Sequence, residues 1–306
     1  MLDEYLLKSP FIGDGFKETI DQIRFDEICT ARRDLLKYLQ FEESVFQLHQ
    51  SYHQLEKYIL TEALDYLIFP YSEYDVFQDA RVSANIKVQS FLNSITSLRD
   101  QAPKISGSGP ESLKKLFQHL WDAEKEKSTC FAFAERFRNY AQHQTQPVHS
   151  VSTGGGWTSD MKLCEHSTSI YVDVEDVCRH REIKQAEKES YYSSFGNKAD
   201  IILVARQTMS SIGTILKSIR DCFKAEIQSR LEIIDDVIRT HGEKPVDAIH
   251  VRGPKIVLSI SLFPDFTARI KKLMSNRLLT NYERHFVSSR YRGHANMPKT
   301  KLAVSE

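Results

Sequence analysis

A chain of 306 residues, 41% hydrophobic and 27% charged, has the composition of a soluble globular protein. It is long enough to build a core without a disulfide or metal staple. No apolar stretch, "IVLSISLF" included, can cross a bilayer as a helix. The acidic start, "MLDEYLLKSP", lacks the apolar region of a signal peptide. The five cysteines, Cys29, Cys130, Cys164, Cys178 and Cys222, are odd in number and scattered, unlike a disulfide framework, so a cytoplasmic location is expected. The formal net charge is +0 but unevenly spread. From Val251 on there are eleven basic residues and three acidic ones, Asp265, Glu283 and Glu306. Such a segment either attracts a polyanion or is a solvated helix that balances the acidic half.

In chain order, apolar spacing predicts a helix from about Gly15 to Gln40, with Ile20, Ile23, Phe25, Ile28 and Leu35–Leu36 on its buried side. A second is expected from Phe41 to Ile68, with Val45, Leu48, Tyr52, Leu55, Ile59, Leu60, Leu64 and Leu67 as its stripe, stopped by Pro70. A third, from Val76 to Asp100, carries Ile86, Phe91, Leu92, Ile95 and Leu98. After the Gly/Ser connector "KISGSGP" come helices over about 110–127, with Pro110 in the first turn, and about 128–142. Between Gln144 and Tyr171 the helical period disappears. Gly154–Gly156 there lack phosphate-loop spacing and are expected to form a turn. "STSIYVDVEDV" predicts a short strand or hairpin. Helix is expected again over about 175–193, then one very long helix over about 199–240 that Gly213 could bend and Gly242 would end. "PKIVLSISLFPD" predicts another strand, followed by a basic helix over about 266–286 and a disordered tail. The fold class is mainly α with minor strands.

The stretch "RFRNYAQHQ" over 136–144 carries the chemistry. On a helical wheel Phe133, Phe137, Tyr140 and Ala141 define a buried face. Arg138 falls on one side of that face, and Asn139 and His143 on the other. Polar groups that flank an apolar stripe border whatever seam the stripe makes with a neighbour. Arg138 can pair with a phosphate, and His143 can move a proton near neutral pH. Asn139, one turn before His143, can orient the ring or the substrate.

"RNYAQH" resembles the R-x(4–6)-H motif of the HEPN superfamily, with a polar residue directly after the Arg. Among the eleven histidines only His143 has an arginine at this spacing upstream. "YHQLEKYIL" and "NIKVQSFLNSITSLRDQ" are similar to segments of bacterial members. The resemblance covers about residues 41–145 and implies an up-and-down helical bundle inside an N-terminal region, 1–146. The region 147–306 would add long helices, minor strands and the basic segment. The resemblance also implies a metal-independent endoribonuclease with Arg138, Asn139 and His143 in the site, needing no cofactor. Because one His cannot serve as acid and base at once, a homodimer is expected to supply the second. Partners implied are RNA and, for a toxin or phage-defence effector, an antitoxin; no membrane is involved. Some HEPN toxins carry a Tyr two residues after the His; here that position is Thr145. The alternative is a noncatalytic helical interaction protein using the same dimer face.

Other constellations carry less. The Cys-x-His pairs at Cys164–His166 and Cys178–His180 match no common zinc spacing. Glu232, Asp235 and Asp236 are expected to form a solvated helix face. His49 and His53 lack the Glu of an HExxH motif and are expected to be exposed.

Overall fold

The computed structural model describes residues 3–11, 15–69, 73–102, 111–143, 146–157, 161–162, 164–179 and 183–281. Two short strands, β1 (Asp3–Lys8) and β2 (Lys17–Ile20), open the chain, followed by helices α1 (Gln22–Ile68), α2 (Tyr74–Gln101), α3 (Glu111–Lys127) and α4 (Thr129–His143). Next come β3 (Ser150–Trp157), β4 (Cys164–Asp173), α5 (Val174–Arg179), α6 (Gln185–Phe195) and β5 (Lys198–Asp200). The chain continues through α7 (Ile201–Thr240), β6 (Val246–Arg252), β7 (Lys255–Leu262) and α8 (Pro264–Met274). The class is mainly α with antiparallel strands, and no helix is long and apolar enough to cross a membrane among the described residues.

Several expected elements are corrected. The chain before Gln22 forms the β1–β2 pair, with Tyr5 opposite Ile20, instead of a first helical turn. The helix begins where Asp21 caps it, its Oδ1 accepting from the Arg24 N–H at 2.7 Å. No break occurs at Gln40–Phe41, because neither glycine nor proline interrupts the ladder there, so two expected helices are one of 47 residues. Its stripe holds through Val45, Leu48, Tyr52, Leu55 and Ile59, while Ile23, Leu64 and Leu67 are exposed, as is Ile86 of α2. Gly154–Gly156 are not a turn. They lie in β3, paired with Ser167, His166 and Glu165 of β4. The helix expected over 175–193 is two, α5 and α6. The basic helix ends at Met274; residues 282–306, the expected disordered tail among them, and Pro70 and Pro110 lie outside the described residues.

Gly213 does not end α7, which runs on to Thr240. A Cβ at this position would collide with the backbone carbonyl of Leu279, so the glycine lets that chain pass against the helix. Gly242 adopts φ 73° and ends α7, with the Glu243 N–H donating to the Ile238 carbonyl at 3.0 Å.

The chain forms two compact units. The first takes Met1–Phe46, Leu98–Phe117 and Ser218–Arg277. Its antiparallel sheet has the order β2-β1-β6-β7. Leu6 and Leu7 of β1, Val246, Ala248 and Ile249 of β6, and Phe25, Ile28 and Leu35 of α1 are buried in this unit. So are Leu231 and Ile234 of α7 and Ile270 and Leu273 of α8. The second unit takes Gln47–Ser97, Gln118–Lys217 and Leu278–Glu306. It holds the sheet β3-β4-β5 and a core rich in aromatics, including Phe91, Phe131, Phe133, Phe137 and Tyr191.

Each unit contains the same buried ionic arrangement between α1 and α7. In the first, Glu42 is 1% exposed and takes a two-pronged contact from Arg220, at 2.6 and 3.0 Å, plus the Tyr38 hydroxyl at 2.7 Å. In the second, Glu56 takes Arg206 at 2.7 and 2.8 Å and the Tyr52 hydroxyl at 2.7 Å. The two-pronged geometry satisfies both carboxylate oxygens, which is what makes burial of the charge tolerable. Burial, reinforced by the neighbouring carboxylate, pushes both phenols up and keeps them as neutral donors.

Glu42→Ala strands Arg220 without a counter-charge and is expected to cost about 3–5 kcal/mol in chemical denaturation. Glu42→Met with Arg220→Met should recover part of that loss, since the Arg220 guanidinium also serves the Met274 and Asn276 carbonyls. Asp200 gives a pH test. Its Oδ1 accepts from the Ile202 and Leu203 N–H groups at the start of α7, at 2.8 and 3.2 Å. Burial nevertheless raises its carboxyl above the ordinary value, against the pull of those two bonds. The folded state therefore holds this proton more tightly than the unfolded one, so stability falls as pH rises from about 4 through the raised value. Asp200→Asn keeps the accepting oxygen and should flatten that slope in melting temperature against pH. Asp200→Ala loses the cap and should cost about 1 kcal/mol.

Candidate functional site

Helix α4 starts under a serine cap, with Ser128 Oγ accepting from the Phe131 N–H at 3.2 Å. It buries Cys130, Phe131, Phe133, Ala134, Phe137, Tyr140 and Ala141. Its polar side is tied down at several points. Glu135 takes the Trp121 indole N–H and the Lys125 ammonium, both at 2.7 Å. Arg136 meets Glu187 of α6 with two bonds, at 3.0 and 3.1 Å, and Tyr191 donates to the same carboxylate at 2.6 Å. The orientation of α4 is therefore fixed from both the apolar and the polar side.

Arg138 and Asn139 emerge half-buried at the edges of this fixed face, and His143 is exposed as the last residue of the helix. Arg138 Nη1 donates to Asn139 Oδ1 at 2.9 Å, so the two are joined. Arg138 also lines a cleft of about 330 Å³ with Gln89, Leu92 and Asn93 of α2 and Ala141 and Gln142 of α4. His143 is outside that lining. It lies five positions after Arg138, which is about 140° around the axis. Arg138 is therefore joined to Asn139, and His143 starts from a different side of α4. Thr145 lies outside the described residues.

The chain after α4 is anchored by residues that sequence reasoning did not single out. Asn85 of α2 is buried; its Oδ1 accepts from the Val148 N–H at 2.7 Å and its Nδ2 donates to the Arg81 carbonyl at 2.9 Å. The His149 N–H then donates to the Tyr171 carbonyl of β4 at 2.9 Å. The His149 ring reaches Tyr140 Oη at 2.8 Å through Nε2, and Asp173 Oδ2 at 3.0 Å through Nδ1. Burial first, then the charges of Asp176 and Asp173, pushes the Tyr140 hydroxyl upward, so it stays a neutral phenol. The available sequence signal was Asp173-x-x-Asp176 at a strand-to-helix junction, with a lone His opening the partner strand.

The basic segment is partly committed within the fold. Arg252 pairs with Asp3 at 2.7 Å, Lys271 with Asp235 at 2.6 Å, and the Arg269 guanidinium lies 5.5 Å from the Phe46 ring centre. Asp3 is consequently held well below the usual carboxylate range, at about 2, by the Arg252 and His250 hydrogen bonds. The basic residues from Arg284 on lie outside the described residues. Asp236 faces Arg24 and Arg239, and Glu232 accepts from Gln228, so this acidic run is an ion-paired helix face. Of the two Cys-x-His pairs, Cys178 is buried and His180 lies outside the described residues.

Asn85→Ala leaves the buried Val148 N–H without its acceptor. It should cost about 1–3 kcal/mol and raise amide exchange at Val148 and His149 before it affects the sheet β2-β1-β6-β7. No family model matches the chain, and no curated protein or solved structure matches it.

Proposed function

We propose that this chain is an endoribonuclease of HEPN type. Its bundle is built from the second half of α1 with α2, α3 and α4, and its composite site lies at a homodimer interface. The observation that carries this is Arg138, held by Asn139 and lining an open cleft beside the end of the helix that presents His143. An RNA phosphate seated in the cleft would meet the guanidinium, which offers paired donors to the charge that grows on the phosphoryl oxygens. One imidazole takes the proton from the ribose 2′-hydroxyl, and that oxygen attacks the adjacent phosphorus. A second imidazole protonates the departing 5′-oxygen, leaving a 2′,3′-cyclic phosphate and a 5′-hydroxyl.

Two features support a dimer. Arg138 and His143 diverge around α4, so a second copy's His143 is needed to complete the constellation about one phosphate. The α2 face that supplies Gln89 and Asn93 to the cleft continues through Val82 and Ile86, at helical spacing. Both of these are exposed, 47% and 60%. An apolar strip that runs into the cleft is a surface suited to a second copy. A toxin or phage-defence role, with an antitoxin as partner, accompanies this proposal.

The test is cleavage of RNA by the purified full chain, with and without chelator, beside His143→Ala and Arg138→Ala. Wild type should leave 2′,3′-cyclic phosphate ends, and each variant should lose about 100-fold or more in rate while melting as wild type does. Uncut RNA from a folded, dimeric wild type favours the alternative, a noncatalytic interaction protein in which Arg138 and Asn139 shape the same face.

A further inference from the structure

His149, Asp173 and Asp176 converge beside α4. One candidate ligand atom from each lies within 4.8 Å of the others. The fold puts them there by three separate devices. Asp173 is the last residue of β4. Asp176 follows three residues later in the first turn of α5, where that spacing returns a side chain to the same side. His149 immediately precedes β3, and its N–H bond to Tyr171 sets it across from the end of β4.

The ring is oriented in a specific way. Nε2 is engaged by Tyr140 Oη at 2.8 Å, which leaves Nδ1 toward the carboxylates, 3.0 Å from Asp173 Oδ2 and 3.6 Å from Asp176 Oδ2. The Asp173 backbone N–H also points at Nδ1, at 3.2 Å. With Nδ1 bare, its lone pair and the two carboxylate oxygens face a common point that a cation could occupy. A hydrogen on Nδ1, like a metal there, takes the lone pair from the Asp173 N–H, but it serves Asp173 alone and leaves Asp176 at 3.6 Å, beyond hydrogen-bond length. A metal ion satisfies all three groups through bonds of about 2.0–2.2 Å. The Tyr140 contact is then the outer hydrogen bond that holds a metal-bound imidazole in place. Arg179 approaches Asp176 through the other oxygen, Oδ1, at 3.6 Å, so Oδ2 stays available.

We propose that His149, Asp173 and Asp176 form a binding site for a divalent first-row transition metal ion, of the Zn²⁺ or Mn²⁺ class. One imidazole with two carboxylates suits these ions better than Mg²⁺ or Ca²⁺, which favour all-oxygen shells. The carboxylates, 41% and 40% exposed, give the ion a path from solvent and leave coordination positions for water. The ion clasps the start of β3 to the β4–α5 junction and, through Tyr140, to the last turns of α4. The site stands independently of the ribonuclease proposal and takes no part in its proton transfers.

The experiment uses the full chain stripped of metal by chelator and dialysed. Zn²⁺ is titrated by calorimetry, and Mn²⁺ is followed by the paramagnetic resonance of the free ion. One ion per chain is expected, with a higher melting temperature on loading. Asp176→Asn should weaken uptake at least about tenfold while the metal-free variant melts as wild type does, because the Asp176 carboxylate is partly exposed and the amide has nearly the same shape. Tyr140→Phe should weaken uptake about 10- to 100-fold, the range for loss of an outer hydrogen bond. Absence of stoichiometric uptake by folded wild type, or uptake that Asp176→Asn leaves unchanged, overturns the site. A His149 ring with its hydrogen on Nδ1, donating to Asp173 and accepting from the Tyr140 hydroxyl, then accounts for the cluster. None of these readouts depends on RNA cleavage.

Discussion

A carboxylate can be buried in a helical core only if both oxygens are occupied, and that constraint governs the long helices here. Glu42 and Glu56 of α1 each meet an arginine of α7 end-on and a tyrosine one turn back on their own helix. Hydrophobic contact alone would let two long helices slide or rotate against each other, because one aliphatic pair is nearly as good as the next. A two-pronged ion pair is not interchangeable in this way; a shift by one residue strands both charges. Fourteen residues separate the two glutamates in the sequence, and fourteen separate the two arginines, an interval of two heptads. Each unit thus fixes its own register between α1 and α7 with the same chemistry.

Helix α4 depends on fixation of another kind. Its apolar face is buried, and Arg136 and Glu135 are each tied to other helices. Arg138 therefore reaches the cleft from a rigid element. The segment that follows is held equally firmly. Asn85 uses its one side chain to satisfy a buried N–H after α4 and a carbonyl of its own helix. The motif helix and the strand layer are thereby linked by polar contacts that leave little slack.

Tyr140 joins these themes. Its ring belongs to the buried face of α4, while its hydroxyl reaches out to His149, which faces the β4–α5 junction. One residue thus connects the core of the motif helix to the His–Asp–Asp cluster.

Periodicity in the sequence determined the mainly α class and placed most helices within a few residues. It also located the flanking positions of Arg138, Asn139 and His143 around a buried face. These are local properties, since a 3.6-residue repeat and a glycine stop depend only on near neighbours. The strand identity of residues 3–8 comes in part from β6, far along the chain, and that of Gly154–Gly156 from the neighbouring strand β4, and no local pattern names either partner. Gly213 looked like a weak point in a helix; its purpose, passage of the Leu279 backbone, exists only in three dimensions. No local pattern marks Glu42, Glu56, Arg206 and Arg220 as partners; tertiary packing pairs them. His149, Asp173 and Asp176 became a cluster only when the β3–β4 register brought them together. The sequence by itself set the mainly α class, the approximate extent of most helices and the charged groups they carry. The tertiary structure decided which of those charged groups share a site, because pairing a charge requires a partner whose distance along the chain is unconstrained.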